Sequence, residues 1–242
     1  MDPGASSVIG QERTTRHIGL IGLIGGIGPA ATDFYYRSLI RGMASAGVDL
    51  ELTLVHADAP TLLANQQGGE TRAQVEIYQR LAHRLRAAGA GCVAVTSIAG
   101  HFCIDAFAQV SVLPVIDLRA AVSAAVSARG YTRVGLLGTR GVMASHFYGA
   151  LGDVEVVLPQ AAALDEVHDA YVMVAMTAMC TEEQRLGFFE AGRALVEQQG
   201  ADAVLLAGTD LALAFDGYRP GFPVLDCALA HVQEILIQAQ QP

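Results

Sequence analysis

The chain alternates short apolar runs of strand length with longer, Ala-rich segments of helical periodicity. A near-continuous apolar run is typical of a parallel strand that is covered on both faces. Strands that alternate with helices indicate an α/β fold with parallel sheets, because right-handed crossovers join successive strands. The predicted strands lie at 17–24, 50–56, 92–96, 112–116, 133–137, 154–158, 203–206 and 224–225. The predicted helices follow Pro29 and cover 70–88, 101–108, 145–151, 181–199 and 229–238.

The second half of the chain repeats three landmarks of the first half in the same order and at nearly constant spacing. Such a repeat predicts a duplicated α/β unit, and duplications of this kind usually place a site between the two halves. The segments IGLIGGIG, GAGCVAVTS and PVID, at 21–28, 89–97 and 114–117, return as VGLLGTRG, GADAVLLAG and PVLD at 134–141, 200–208 and 223–226.

The length of the chain allows one large α/β domain or two small lobes, and its composition supplies ample apolar material for a packed core. The 242 residues are 52% hydrophobic and carry a net charge of −9, which argues against a nucleic-acid surface. We expect a flexible tail at 1–15, one lobe at 16–117 together with 227–242, and a second lobe at 118–226. The sequence has no recognisable membrane span or signal peptide, so we expect a soluble, cytoplasmic protein without a membrane partner. The four cysteines, Cys92, Cys103, Cys180 and Cys227, lack metal-type spacing and are interpreted as reduced thiols.

Candidate chemistry is expected beyond the carboxyl ends of the strands, where ligands bind in sheets of this kind. The glycine-rich segment from Gly26 to Thr32 joins a strand to a helix and could hold an anion on its N–H groups. The same segment loosely fits a dinucleotide fingerprint with Asp58 as the ribose ligand, or it could be only a turn. The segment 138–141 forms a similar elbow in the second half, which weakens the dinucleotide interpretation.

One cluster of polar residues follows the central strand in each half of the chain. Ser97 and His101 come after the first, where Ser97 could be a nucleophile or a helix N-cap and His101 a neutral imidazole or a packing residue. Thr209 and Asp210 come after the second, where Asp210 could be a general base, an orienting group or a helix cap. His168 is a secondary candidate near a predicted helix start.

Two segments, IGLIGGIGPAAT and VGLLGTRGVMASHFY, resemble the openings of the two halves in the aspartate/glutamate racemase superfamily. That superfamily includes amino-acid, hydantoin and maleate isomerases and arylmalonate decarboxylase, and the similarity extends along the chain from His17. The resemblance implies two Rossmann-like lobes with parallel sheets, related by pseudo-twofold symmetry, and an active site in the cleft between them. It also implies catalysis without a metal or pyridoxal phosphate, and a homodimer.

The family's two catalytic cysteines are absent at the matching positions. The C-N-T-A-H motif falls on 97–101, where only His101 is retained. The G-C-T-E motif falls on 207–210, where Gly208 replaces the cysteine while Thr209 and the acid Asp210 remain. The segment that carries a family arginine has none here, so the resemblance implies a substrate less polar than aspartate.

We therefore expect a superfamily enzyme that transfers a proton next to a carboxylate or carbonyl group without a cofactor. Racemase or other isomerase, lyase and cyclase reactions all pass through such an enolate. The alternatives are a non-catalytic carboxylate-binding protein and a dinucleotide-dependent oxidoreductase. Asp210 and His101 are the expected proton-transfer groups, and Ser97 and Thr209 the hydrogen-bond donors. The expected substrate-binding residues are Gly26, Ile27, Gly28, Thr32, Asn65, Gly138, Thr139, Ser145, Gly208 and His168.

Overall fold

Two four-stranded parallel sheets with the same strand order form the framework of the protein. A computed structural model describes residues 20–26 and 28–239. The first sheet has the order β2-β1-β3-β4 and the second the order β6-β5-β7-β8, which confirms the predicted two-lobe α/β fold. The strands are β1 (Leu20–Gly25), β2 (Leu52–His56), β3 (Ala90–Val95), β4 (Val115–Ile116), β5 (Arg133–Gly138), β6 (Glu155–Val157), β7 (Ala203–Ala207) and β8 (Val224–Asp226).

Helices cover both faces of each sheet. Across the described residues, no helix is both long enough and apolar enough to cross a membrane. Short 3₁₀ turns cover Ala99–Cys103, Phe147–Gly149 and Thr209–Leu211. The helices are α1 (Pro29–Ala46), α2 (Ala59–Gly68), α3 (Thr71–Ala87), α4 (Ile104–Val110), α5 (Leu118–Ala128), α6 (Arg140–Ala144), α7 (Ala161–Thr177), α8 (Glu182–Glu197), α9 (Ala212–Phe215) and α10 (Cys227–Ala239).

Local capping chemistry explains several helix starts. Pro29 lies in the first turn of α1, where its missing N–H is no loss. Asp117 accepts a hydrogen bond from the Arg119 N–H at the start of α5, and Asp226 accepts one from the Leu229 N–H in α10. Side-chain acceptors of this kind satisfy the N–H groups that a helix start leaves without partners.

The prediction of a helix over 145–151 is wrong. The helix α6 ends just before Ser145, and His146, Phe147 and Tyr148 all have positive φ values between 49° and 59°. The chain turns away from the helical path and buries the Phe147 ring completely in the second lobe. The structure differs from the prediction at two further helices. Helix α2 is not predicted by the sequence pattern, and α7 begins well before His168.

Each lobe contains a helix that follows the last strand of the other lobe's sheet in the chain. The α5 residues Leu118, Val122 and Val126 pack into the core that surrounds the second sheet. The α10 residues Val232 and Ile235 return to the core of the first sheet. We therefore propose the division at 117 and 227 given above, while the tail at 1–15 lies outside the described residues.

A buried pair of histidines lies where the chain crosses between the lobes. His231 Nε2 donates to the Ile116 carbonyl oxygen (2.9 Å), so its Nδ1 accepts from the Tyr35 hydroxyl (2.8 Å). The His101 ring lies 6.0 Å from the His231 ring. Burial lowers the pKa of both imidazoles, and the His231 pKa falls from 6.5 to about 3.

This histidine pair should make folding sensitive to acid. Below pH 6.5 His231 binds a proton in the unfolded chain but stays neutral in the folded protein. The free energy of unfolding therefore decreases as the pH falls from 6.5 toward about 3. Between pH 7 and pH 5 the free energy of unfolding should fall by about 2 kcal/mol more in the wild type than in His231→Gln, at roughly 1.4 kcal/mol per pH unit. Urea unfolding at the two pH values measures this difference. Parallel stability profiles for the two proteins would contradict it.

Candidate active site

A cavity of about 240 Å³ lies between the lobes, beyond the carboxyl ends of the central strands. We call it the cleft cavity. The first lobe contributes six residues and the second lobe another six, so the site needs both halves of the duplicated fold. Its lining residues are Pro29, Ala59, Pro60, Leu63, Ser97 and Ala99 from the first lobe and Thr139, Tyr171, Val172, Ala175, Met176 and Asp210 from the second.

Asp210 is the acid of the cleft cavity. It is 3% exposed, in the 3₁₀ turn after β7. Its Oδ1 accepts a hydrogen bond from the Ala31 N–H (3.0 Å) in the first turn of α1, so the second lobe caps a helix of the first. The Tyr171 hydroxyl donates to Oδ2 (3.2 Å). Burial outweighs these hydrogen bonds and raises the pKa of Asp210 from 3.8 to about 6.

Two glycines make room for this arrangement. A Cβ atom at Gly28 would lie closer than 3.0 Å to the carboxylate of Asp210. A Cβ atom at Gly208 would lie closer than 3.0 Å to the ring of Tyr171. Tyr171 thus fills the space that a side chain at position 208 would need. Gly208 contacts this ring and is not among the residues that line the cleft cavity.

The predicted anion cradle is occupied by the protein's own groups. The Gly26 N–H donates to Thr32 Oγ1 (2.9 Å), and the Thr32 hydroxyl donates to the Gly28 carbonyl oxygen (3.1 Å). The Ala31 N–H binds Asp210. The Gly26 N–H and the Thr32 hydroxyl are thus engaged within the loop, whereas Gly28 is bound through its carbonyl oxygen and Ile27 lies outside the described residues. Asp58, the ribose ligand of the dinucleotide interpretation, instead caps α2 through the Thr61 N–H (2.9 Å).

The elbow of the second lobe contributes one group to the cleft. Thr139 lines the cavity and caps α6 by accepting from the Val142 N–H (3.3 Å). Gly138 lets the Ala207 carbonyl oxygen approach its Cα closely. The Ser145 hydroxyl donates to the Val142 carbonyl oxygen (3.1 Å), so it supports the loop instead of the cavity, which corrects its expected role.

Ser97 lines the cleft cavity, whereas His101 does not. The Ser97 hydroxyl accepts from the Gly100 N–H (3.3 Å), as a helix cap would. His101 is fully buried, and both of its ring nitrogens have backbone partners. Its Nδ1 donates to the Ser97 carbonyl oxygen (2.6 Å), and its Nε2 accepts from the Leu118 N–H (3.4 Å). The expectation that His101 transfers a proton is therefore corrected to a structural role.

Three other candidates also lie away from the cleft cavity. Asn65 donates to Gln74 Oε1 (2.9 Å), and His168 Nδ1 accepts from the Arg140 N–H (3.2 Å), so each supports its own lobe. Thr209 lines a separate cavity of about 400 Å³, which shares only Pro29 and Asp210 with the cleft cavity. The structure thus places Asn65 and His168 outside the cleft cavity and Thr209 beside Asp210 in the adjoining cavity, and the expected roles of the three residues stay predictions.

Sequence reasoning missed the residues that bridge the lobes at Ala99. Gln66 Nε2 donates to the Ala99 carbonyl oxygen (3.0 Å) and to the Tyr148 hydroxyl oxygen (3.1 Å). The Tyr148 hydroxyl in turn donates to the same carbonyl (3.3 Å). Tyr171 was missed as well, although it is a tyrosine at the head of the otherwise apolar stretch YVMVAM.

The cysteines are not placed to act as acids or bases in the cleft. Among the described residues, none of the four lines the cleft cavity. Cys103 and Cys227 are buried, and burial raises the thiol pKa of both, to about 12 for Cys103. Such thiols remain protonated near neutral pH.

Known proteins share this architecture. An Yersinia pestis protein classed with the Asp/Glu racemases has a TM-score of 0.80 at 24% identity, over 93% of this chain and 100% of its own. An aspartate racemase homologue from Pyrococcus horikoshii OT3 has a TM-score of 0.77 at 24% identity, with the same coverage. Arylmalonate decarboxylase has a TM-score of 0.53 at 17% identity, over 92% of this chain and 93% of its own.

The sequence itself identifies the family. The family model described as Asp/Glu/hydantoin racemase matches residues 24–235, which include all but the ends of the described part. The matched range contains Ser97, Gly208 and Asp210. The chain therefore belongs to the Asp/Glu/hydantoin racemase family.

Proposed function

We propose that the protein is an enzyme that transfers a proton at the carbon next to a carboxylate or carbonyl group, without a cofactor or a pair of thiols. The observation that carries this proposal is the Asp210 carboxyl group in an apolar cavity, with a pKa raised to about 6. A general acid–base group works best when its pKa lies near the working pH, because both protonation states are then available.

In this reaction the ionised Asp210 removes a proton from the α-carbon, and the C–H electron pair moves into an enolate. The protonated Asp210 then returns a proton to the α-carbon of the enolate or, where a further double bond is conjugated with the enolate, to its γ-carbon, and the C=O bond forms again. Ser97 and Thr139 line the same cavity and can donate hydrogen bonds to the enolate oxygen. The Tyr171 hydroxyl orients the Asp210 carboxylate by binding its Oδ2.

The polar groups of the cleft favour a one-base reaction. Asp210 comes from the second lobe, while Ser97 is the only polar side chain that the described residues of the first lobe contribute to the cavity lining. An unactivated hydroxyl is far too weak an acid to deliver a proton at the opposite face. Isomerisation and elimination or decarboxylation need a single acid–base group, so these outcomes fit better than two-base racemisation.

Exchange of the α-hydrogen in deuterated buffer tests the proposal. We expect NMR to detect deuterium uptake into at least one 2-substituted carboxylic acid of a panel, because the enolate is protonated by an Asp210 that has exchanged with solvent. The exchange rate should rise with pH and level off above about 6, as the base form of Asp210 becomes populated. Ligands that bind without any exchange would contradict the proposal and favour a non-catalytic carboxylate-binding protein.

A further inference from the structure

The walls of the cleft cavity are apolar on both sides. Helix α2 of the first lobe contributes Ala59, Pro60 and Leu63, and helix α7 of the second contributes Val172, Ala175 and Met176. We call these six residues the apolar wall. A ligand that lies beside Asp210 must therefore place its remaining surface against hydrocarbon from both lobes.

Positive charge is absent from the lining of the cleft cavity within the described part of the chain. Arg140 follows Thr139 directly, but its guanidinium is paired with the Asp165 carboxylate (2.6 Å) and lies outside the cavity lining. A second carboxylate on a ligand would lose water without gaining a cationic partner, and the Asp210 carboxylate would repel it. The described lining of the cleft cavity thus offers a second carboxylate no cationic partner, whereas Arg37 and Arg41 line the separate cavity on the other side of Asp210.

The volume of the cleft cavity suits a small ligand. Its size of about 240 Å³ lies below the roughly 300–1,000 Å³ that is typical of ligand pockets. Met176 is 70% exposed although it lines the cavity, so its flexible side chain can lie over a bound apolar group.

We propose that the cleft takes a small 2-substituted monocarboxylic acid, or the matching carbonyl compound, whose substituent is apolar. Leu63 and Met176, on opposite lobes, are the specificity-determining residues. This inference rests on the proposed function in one respect, because it assumes that the α-carbon lies beside Asp210 while the carboxylate or carbonyl oxygen lies toward the Ser97 and Thr139 hydroxyls.

Two acids of equal size and nearly equal shape test the inference. 2,4-Dimethylpentanoate and 2-methylsuccinate differ in that an isopropyl group of the first is a carboxylate in the second. We expect calorimetric titration near neutral pH to show at least tenfold tighter binding of dimethylpentanoate, since a hydrophobic pocket discriminates even a single methylene group by about 10-fold to 200-fold.

Substitutions in the apolar wall should change this preference. Met176→Arg and Leu63→Arg each introduce a cation into the wall. Each variant, tested separately, should bind dimethylpentanoate more weakly and methylsuccinate more tightly, by about tenfold or more. Met179→Arg is the matched control. Met179 follows the end of α7 and is as exposed as Met176, but it does not line the cavity. The control should keep the wild-type preference.

The outcomes separate this inference from the proposed function. Equal or tighter binding of methylsuccinate, binding of neither acid, or identical behaviour of all three arginine variants would overturn the inference. Tight binding of dimethylpentanoate without exchange of its α-hydrogen would instead leave the inference standing and remove the proposed function.

Discussion

The Asp210→Asn variant should be more stable than the wild type at pH 8, although it removes the proposed catalytic group. The pKa of Asp210 is about 6 in the folded protein against 3.8 in the unfolded chain, so stability falls as the pH rises between these values. At roughly 1.4 kcal/mol per unit, the ionised carboxylate costs up to about 3 kcal/mol above pH 6. Asparagine keeps an oxygen for the Ala31 N–H and removes the charge.

Urea unfolding at pH 8 and pH 4 measures this gain, which should largely disappear at pH 4 because the folded Asp210 is then protonated. Asp210→Ala is the control, since it removes both the charge and the acceptor that caps α1. It should gain less than Asp210→Asn at pH 8 and be less stable than the wild type at pH 4. A wild type that is more stable than Asp210→Asn at pH 8 would show that the ionised carboxylate stabilises the fold.

The Gly208→Cys variant should be strongly destabilised. Its Cβ would overlap the Tyr171 ring, and overpacking of a buried site costs about 1–3 kcal/mol and occasionally more. Tyr171→Ala removes the ring, so the double variant should be more stable than the sum of the two single effects predicts. Tyr171→Phe keeps the ring and serves as the control, because it should give no relief. A Gly208→Cys protein with wild-type stability would contradict this account.

The same overlap affects any attempt to introduce two cysteines at positions 97 and 208. The motif comparison suggests that Ser97→Cys together with Gly208→Cys would create racemase activity. Because Tyr171 occupies the space beside position 208, we expect racemisation only when Tyr171 is also replaced by a small residue. Chiral chromatography of product from the double and triple variants distinguishes the two cases.

The sheets were predictable from the sequence because their central strands are buried on both faces. The apolar runs in β3 and β7 have no polar position that a helix or a loop would place in solvent. The loop after α6 was not predictable, since the left-handed conformation of three consecutive non-glycine residues follows from the burial of Phe147. Helix α2 was missed because only Leu62 is buried in it, which leaves almost no apolar periodicity.

The candidate site was predictable only in part. Ser97, Thr139 and Asp210 follow strand ends, and that rule places them correctly in the cleft. The partners of Asp210 are distant in the chain, since Ala31 lies 179 residues away and Tyr171 lies 39 residues away. The motif resemblance alone interprets Gly208 as a position without a reactive group. In the structure its glycine makes room for the tyrosine that orients Asp210.

The most direct test of the central claim compares α-hydrogen exchange by Asp210→Asn and Asp226→Asn. Both wild-type carboxyl groups have a pKa raised to about 6 by burial, but Asp226 lies outside the cleft cavity. We predict that Asp210→Asn lowers the exchange rate by about 10²-fold to 10⁴-fold, the usual contribution of a general acid–base group, while Asp226→Asn retains it. Undiminished exchange in a correctly folded Asp210→Asn protein would contradict the account.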